Sequence, residues 1–122
     1  LLAIILSGVA IPQANAVVKD FSCVKDGFTG YIRLSDTRTN VVVSYKINKG
    51  TNSGGNLANV LTFDNGTAPR TELVNNAARQ DNVWHAMNAN SPYRRGSGGF
   101  DASFTFDKSG ARDPSCTAGG VV

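Results

Sequence analysis

The chain has 122 residues, with twelve Lys or Arg against nine Asp or Glu and a formal charge of +3 at pH 7. The signs are interspersed, so the chain lacks the dense basic stripe of a dedicated DNA binder and nucleic acid is not an expected partner. Its length suits one domain able to bury a core without a cofactor, and no cofactor is expected.

Residues 1–11 are apolar apart from Ser7 and Gly8, and Pro12, Gln13 and Ala14-Asn15-Ala16 follow. An apolar run, a helix breaker and an A-x-A site together read as a secretory signal peptide over 1–16, with its basic start missing. The run is too short for the ~20 residues of a membrane span. Val17 to Val122 is then a single domain without a membrane-spanning segment, secreted or periplasmic.

Val17 to Cys23 suits a first short strand. Gly27 to Asn48 carries the organising pattern. Phe28, Gly30, Ile32 and Leu34 share one parity and Thr29, Tyr31, Arg33 and Ser35 the other. After the polar Asp36 to Asn40, Val41, Val43, Tyr45 and Ile47 alternate with Val42, Ser44, Lys46 and Asn48. Strand side chains point alternately to opposite faces, so this is a β-hairpin with one face to bury. Such a pair is not stable alone and requires further strands to cover it.

Gly50 to Asn56 reads as a loop. Leu57 to Asp64 sets Leu61 and Phe63 against Val60 and Thr62. Asn65-Gly66 is a two-residue hairpin signal, because both positions accept positive φ, and Asn65-Gly66-Thr67 also matches the N-glycosylation sequon. Residues 67–79 admit two readings. One is an edge strand over 67–74, since Pro69 cannot donate to a ladder. The other is a short helix over 70–79, where Leu73, Val74, Ala77 and Ala78 fall at helical spacing.

Val83 to Asn88 is a further strand candidate. Asn90 to Gly99 is a Gly-rich loop containing Tyr93, Arg94 and Arg95. Phe100, Ala102, Phe104 and Phe106 then alternate with Asp101, Ser103, Thr105 and Asp107, the cleanest period of two in the chain. Lys108 to Val122 reads as a tail held by a disulfide. Cys23 and Cys116 flank the strand block, and two cysteines in an exported domain pair. The bridge closes a loop of about 90 residues, worth up to ~4.5 kcal/mol of chain entropy. The expected fold is all-β: a small antiparallel sandwich or barrel of about six or seven strands, its termini tied by one disulfide.

Motifs for catalysis are sparse. One His and no C-x-x-C argue against a metal site. Glu72 and His85 are the only Glu and His, and with Arg94 and Arg95 they form the inventory of a metal-free ribonuclease, though no spacing ties them together. No G-x-S-x-G or phosphate loop occurs.

Trp84 and His85 compete for one core. If Val83 and Met87 face inward, His85 is buried and Trp84 exposed; if Trp84 faces inward, the reverse holds. The usual burial of a lone Trp favours the indole as core. An exposed Trp84 beside Tyr93, Arg94 and Arg95 would instead form a binding face, since aromatic planes stack on sugars and arginines hold anions. Tyr31 and Arg33 offer a similar pairing on the outward parity of the hairpin. The function expected is non-catalytic binding of an extracellular glycan or surface protein through Trp84, Tyr93, Arg94 and Arg95. The alternatives are a small hydrolase or toxin using Glu72 and His85, and a structural or inhibitory surface protein.

Overall fold

The protein's structure, a computed structural model, describes residues 17–36, 41–48, 58–64, 71–91, 99–110 and 112–121. They hold eight strands: β1 (Val17–Lys25), β2 (Phe28–Asp36), β3 (Val41–Ile47), β4 (Ala58–Asp64), β5 (Thr71–Ala78), β6 (His85–Ser91), β7 (Gly99–Thr105) and β8 (Ser115–Val121). One sheet runs β1-β2-β3-β6 and the other β5-β4-β7-β8, every neighbouring pair antiparallel. The all-β, two-sheet architecture is as expected. The eighth strand is the segment read as a tail, because Ser115 to Val121 pairs with β7 along its whole length. No helix among the described residues is long and apolar enough to cross a membrane.

β1 is longer than its sequence pattern suggested and joins β2 through Asp26 and Gly27, at φ 51° and 83°. Two consecutive positive φ values define the tight hairpin turn whose twist matches its strands, and an Asp-Gly pair meets that demand. The organising hairpin pairs Gly30 with Ile47 through to Asp36 with Val41. Its connection at 37–40, residues 1–16, the Asn65-Gly66 turn and Pro69 lie outside the described residues. Asn48 ties the end of β3 to the first turn. Its Oδ1 accepts from the Thr29 N–H at 2.9 Å and its Nδ2 donates to the Gly27 carbonyl at 3.2 Å.

The core lies between the sheets. Phe28, Ile32, Leu34, Val41, Val43, Tyr45 and Ile47 enter it from the first sheet, and Val60, Ala102, Phe100 and Phe104 from the second, with Phe106 following β7. Ile32, Leu34, Val41, Val43, Ile47, Phe100, Phe104 and Phe106, the residues expected inward on the three cleanest alternating runs, are all buried. Thr62 is fully buried beside Val60, so β4 turns Leu61 and Phe63 outward. Phe28 stacks on Phe106 at 5.1 Å, and Phe106 on Phe104 at 5.9 Å. The Phe104 ring rests on Gly30, where an added Cβ would lie 2.6 Å from Cγ.

Residues 71–78 resolve as strand. Between Ala58/Ala78 and Val60/Asn75, β5 carries one more residue than β4, a β-bulge. The bulge shifts the inward parity, so that Leu73 and Ala78 are both buried while Val74 and Ala77 are exposed. The Asn75 Oδ1 accepts from the Ala77 N–H at 2.8 Å, supplying a partner where the ladder is interrupted. As the edge reading required, β5 has one neighbour.

Cys23 and Cys116 are bridged, with Cα atoms 6.0 Å apart. Cys116 does not stand in a tail as its sequence position suggested. Cys23 lies in β1 and Cys116 in β8, the edge strands of opposite sheets, so the bridge clasps one side of the sandwich.

Replacing Cys23 and Cys116 by Ser should cost roughly 2–5 kcal/mol, the usual range for a native bridge in a small domain. Alkylation without reductant should find no free thiol; two labelled thiols would refute the pairing. Phe104→Ala should cost about 3–5 kcal/mol and Thr105→Ala under about 1 kcal/mol in denaturant unfolding. Gly30→Ala should cost about 1–3 kcal/mol through overpacking against the Phe104 ring. Equal midpoints for the Phe104 and Thr105 variants would show the register to be wrong.

Candidate functional site

The outward parity of the first sheet is polar along β1 to β3 except for a few Val side chains, and it gathers three charged residues. Antiparallel register places Asp20 opposite Arg33, and Tyr31 opposite Lys46. Tyr45 pairs with His85, so the next row brings Trp84 beside Lys46. Two aromatic rings and two cations thereby share one surface.

The Arg33 guanidinium carbon lies 4.2 Å from the centre of the Trp84 ring. The Lys46 Nζ lies 5.0 Å from the same ring and 4.8 Å from that of Tyr31. The two rings meet edge-on with centres 6.4 Å apart. A cation is drawn to the negative face of an aromatic ring, so each ring positions the charge beside it. Arg33 also donates from Nε and Nη2 to the two Asp20 carboxylate oxygens, both at 2.8 Å. Those bonds hold the Asp20 carboxyl below its ordinary value, with the charges of Arg33 and Lys46 adding to them against a smaller opposing effect of burial. Arg33 and Asp20 are 35% and 45% exposed, so this is a wet surface cluster.

Trp84 is half-buried on this outer face and does not enter the core, contrary to the expectation for a lone tryptophan. The reason lies in the chain path. β6 begins at His85, and residues 81–83 form a bend before it, leaving Val83 52% exposed. The strand alternation thus does not extend to Val83. The ring contacts of the indole are Arg33, Lys46 and Tyr31 rather than core residues, and part of its surface stays accessible to solvent.

His85 points the other way and is half-buried, its ring 5.4 Å from that of Tyr45. Its Nε2 lies 3.0 and 2.9 Å from the two Asp81 oxygens. Asp81 is ionised at neutral pH, and an ionised carboxylate only accepts, so the His85 Nε2 carries the proton. Burial opposes the charge on Asp81, but hydrogen bonds from His85 and from the Val83 N–H outweigh it and hold the carboxyl below its usual range. The Tyr45 hydroxyl accepts from the Arg79 N–H at 3.0 Å. Together with the Asn82 N–H donated to the Ile47 carbonyl, these bonds fasten the bend that presents Trp84.

Glu72 is exposed on β5 of the other sheet, opposite the outward Phe63. The carboxylate bound to His85 is Asp81. Tyr93, Arg94 and Arg95 lie outside the described residues, and the chain leaves β6 toward them from the end opposite Trp84. Lys46 and Asp20 were not singled out by sequence, although hairpin register alone pairs Lys46 with Tyr31. Among the described residues no cluster of three or more His, Cys, Asp or Glu could hold a metal ion. Comparison with known protein families, curated proteins and solved structures finds no match for this chain.

The Asp81 carboxyl is depressed in the folded state, so its contribution is present above the ordinary carboxylate range and disappears as pH falls through the folded-state value. Asp81→Asn should therefore destabilise at pH 7 by less than about 1 kcal/mol, a small figure because solvent screens an exposed pair. The difference from wild type should vanish in strong acid. A destabilisation that grew toward acid would contradict the assignment.

Proposed function

We propose that this protein is an exported, non-catalytic domain that binds an acidic extracellular glycan on the outer face of its first sheet. One observation carries the reading: a half-buried tryptophan on the outer face, with Arg33 and Lys46 beside its ring and Tyr31 at its edge. Sugar rings present C–H faces that pack on aromatic planes, and their acidic substituents are held by neighbouring cations. The scaffold suits the task, because hydrogen-bonded strands hold the side chains in place without an ordering cost at binding. Export is supported by the bridged cysteines and by the apolar residues 1–11 followed by Ala14-Asn15-Ala16.

Trp84 is the only tryptophan, so its fluorescence reports on this face alone. Acidic oligosaccharides should shift its emission saturably. In calorimetry, Trp84→Ala should weaken binding by about tenfold or more, in line with the ~1–3 kcal/mol typical of a lost aromatic stack. Arg94→Ala/Arg95→Ala should leave most of the affinity in place. Binding indifferent to Trp84→Ala would remove this face as the site. RNA cleavage abolished by His85→Ala would transfer the protein to the hydrolase class, and capture of a surface protein without any saccharide binding would replace the glycan.

A further inference from the structure

The charges on the Trp84 face are not equally available. Arg33 is engaged on two sides, with its guanidinium carbon 4.2 Å from the centre of the indole and its fork on the Asp20 carboxylate through two bonds of 2.8 Å. A bidentate carboxylate is the partner that an external acidic group would otherwise provide for that fork. Lys46 differs. Its ammonium lies against two aromatic rings, and among the described residues it has no ion-pair partner within 4.0 Å. The register places no further charged residue on the outward parity of β1 to β3, whose other positions are Val18, Ser22, Val24, Thr29, Tyr31, Ser35, Val42 and Ser44. Among the described residues, two cations and one carboxylate leave the face with a single net positive charge.

We infer that Asp20 sets the ligand class of this face, admitting glycans with isolated carboxylates and disfavouring densely sulfated ones. The inference rests on the glycan-binding reading and refines it. An isolated carboxylate needs one cation, and Lys46 supplies it while the sugar packs on the Trp84 and Tyr31 rings. A sulfated chain brings several anions within reach of each other. Its first sulfate finds Lys46, but the next meets a guanidinium already neutralised and a carboxylate that repels it. Such a chain gains most from counterion release when several cations are free, and among the described residues this face offers one. Asp20 stays ionised throughout the neutral range, since Arg33 and Lys46 both stabilise its charge.

The test measures hyaluronan and heparin oligosaccharides of matched length against wild type, Asp20→Asn and Trp84→Ala at fixed ionic strength. Wild type should bind hyaluronan more tightly than heparin. Asp20→Asn should raise heparin affinity about fivefold, the scale of one exposed charge pair, with the gain shrinking as salt rises and hyaluronan affinity nearly constant. Circular dichroism checks that the variant keeps its fold. Heparin preferred by the wild type overturns the inference, as does an unchanged ratio in Asp20→Asn, provided Trp84→Ala abolishes binding; the glycan reading then survives. A fall for both polymers in Asp20→Asn shows that Asp20 only steadies Arg33, and also overturns it. Absence of any Trp84-dependent binding to either polymer overturns the underlying reading and this inference together.

Discussion

The close approach of Phe104 to Gly30 sets the geometry on which the rest of this sandwich depends. A ring lying on bare backbone lets the sheets close at that point, and any side chain at position 30 would prop them apart. Phe106 and Phe28 continue the contact as a stacked series, with planes within 8° at each step. Protein interiors are packed as densely as organic crystals, so this column also fixes which neighbours can fill the space beside it. The bridge between β1 and β8 and the Phe21–Phe100 contact then close one flank of the same interface.

With the inner face committed, the outer face follows from parity. Tyr31 and Arg33 point away from the core because Ile32 and Leu34 point into it. Lys46 does so because Tyr45 and Ile47 are buried. What strand geometry leaves open is whether outward side chains act singly or together. Trp84 joins them. Its indole gives the two cations a common surface, and Asp20 fixes the orientation of one of them. A bend fastened by Asp81, His85 and Tyr45 precedes β6 and carries that indole on the outer face.

Much of the fold was legible in order of pattern strength. β2, β3 and β7 alternate without interruption, and their inward residues are those expected. The Asp26-Gly27 turn carried its own signal in sequence, yet its weight is plain only once β1 extends to Lys25. β5 and β6 were harder, for the same reason. Each carries bulges against its neighbour, and an inserted residue reverses the faces of everything beyond it. Period-two reasoning fails at such a point, and residues 70–79 also admitted a helix. Trp84 is a separate case: the usual burial of a lone tryptophan favoured it as core, and the bend at 81–83 sets it on the outer face instead.

Local chemistry therefore decided the strands with clean alternation, the hairpin that organises them and the pairing of the cysteines. Those properties depend on residues near one another in sequence or, for the bridge, on there being only two cysteines. The candidate site is of another kind. Asp20, Arg33, Lys46 and Trp84 come from four separate stretches of chain, and nothing in the identity of any one of them specifies the others. Their meeting depends on strand register, on the order β1-β2-β3-β6 and on where β6 begins. Those are set by long-range packing between the sheets, and local sequence pattern does not encode them.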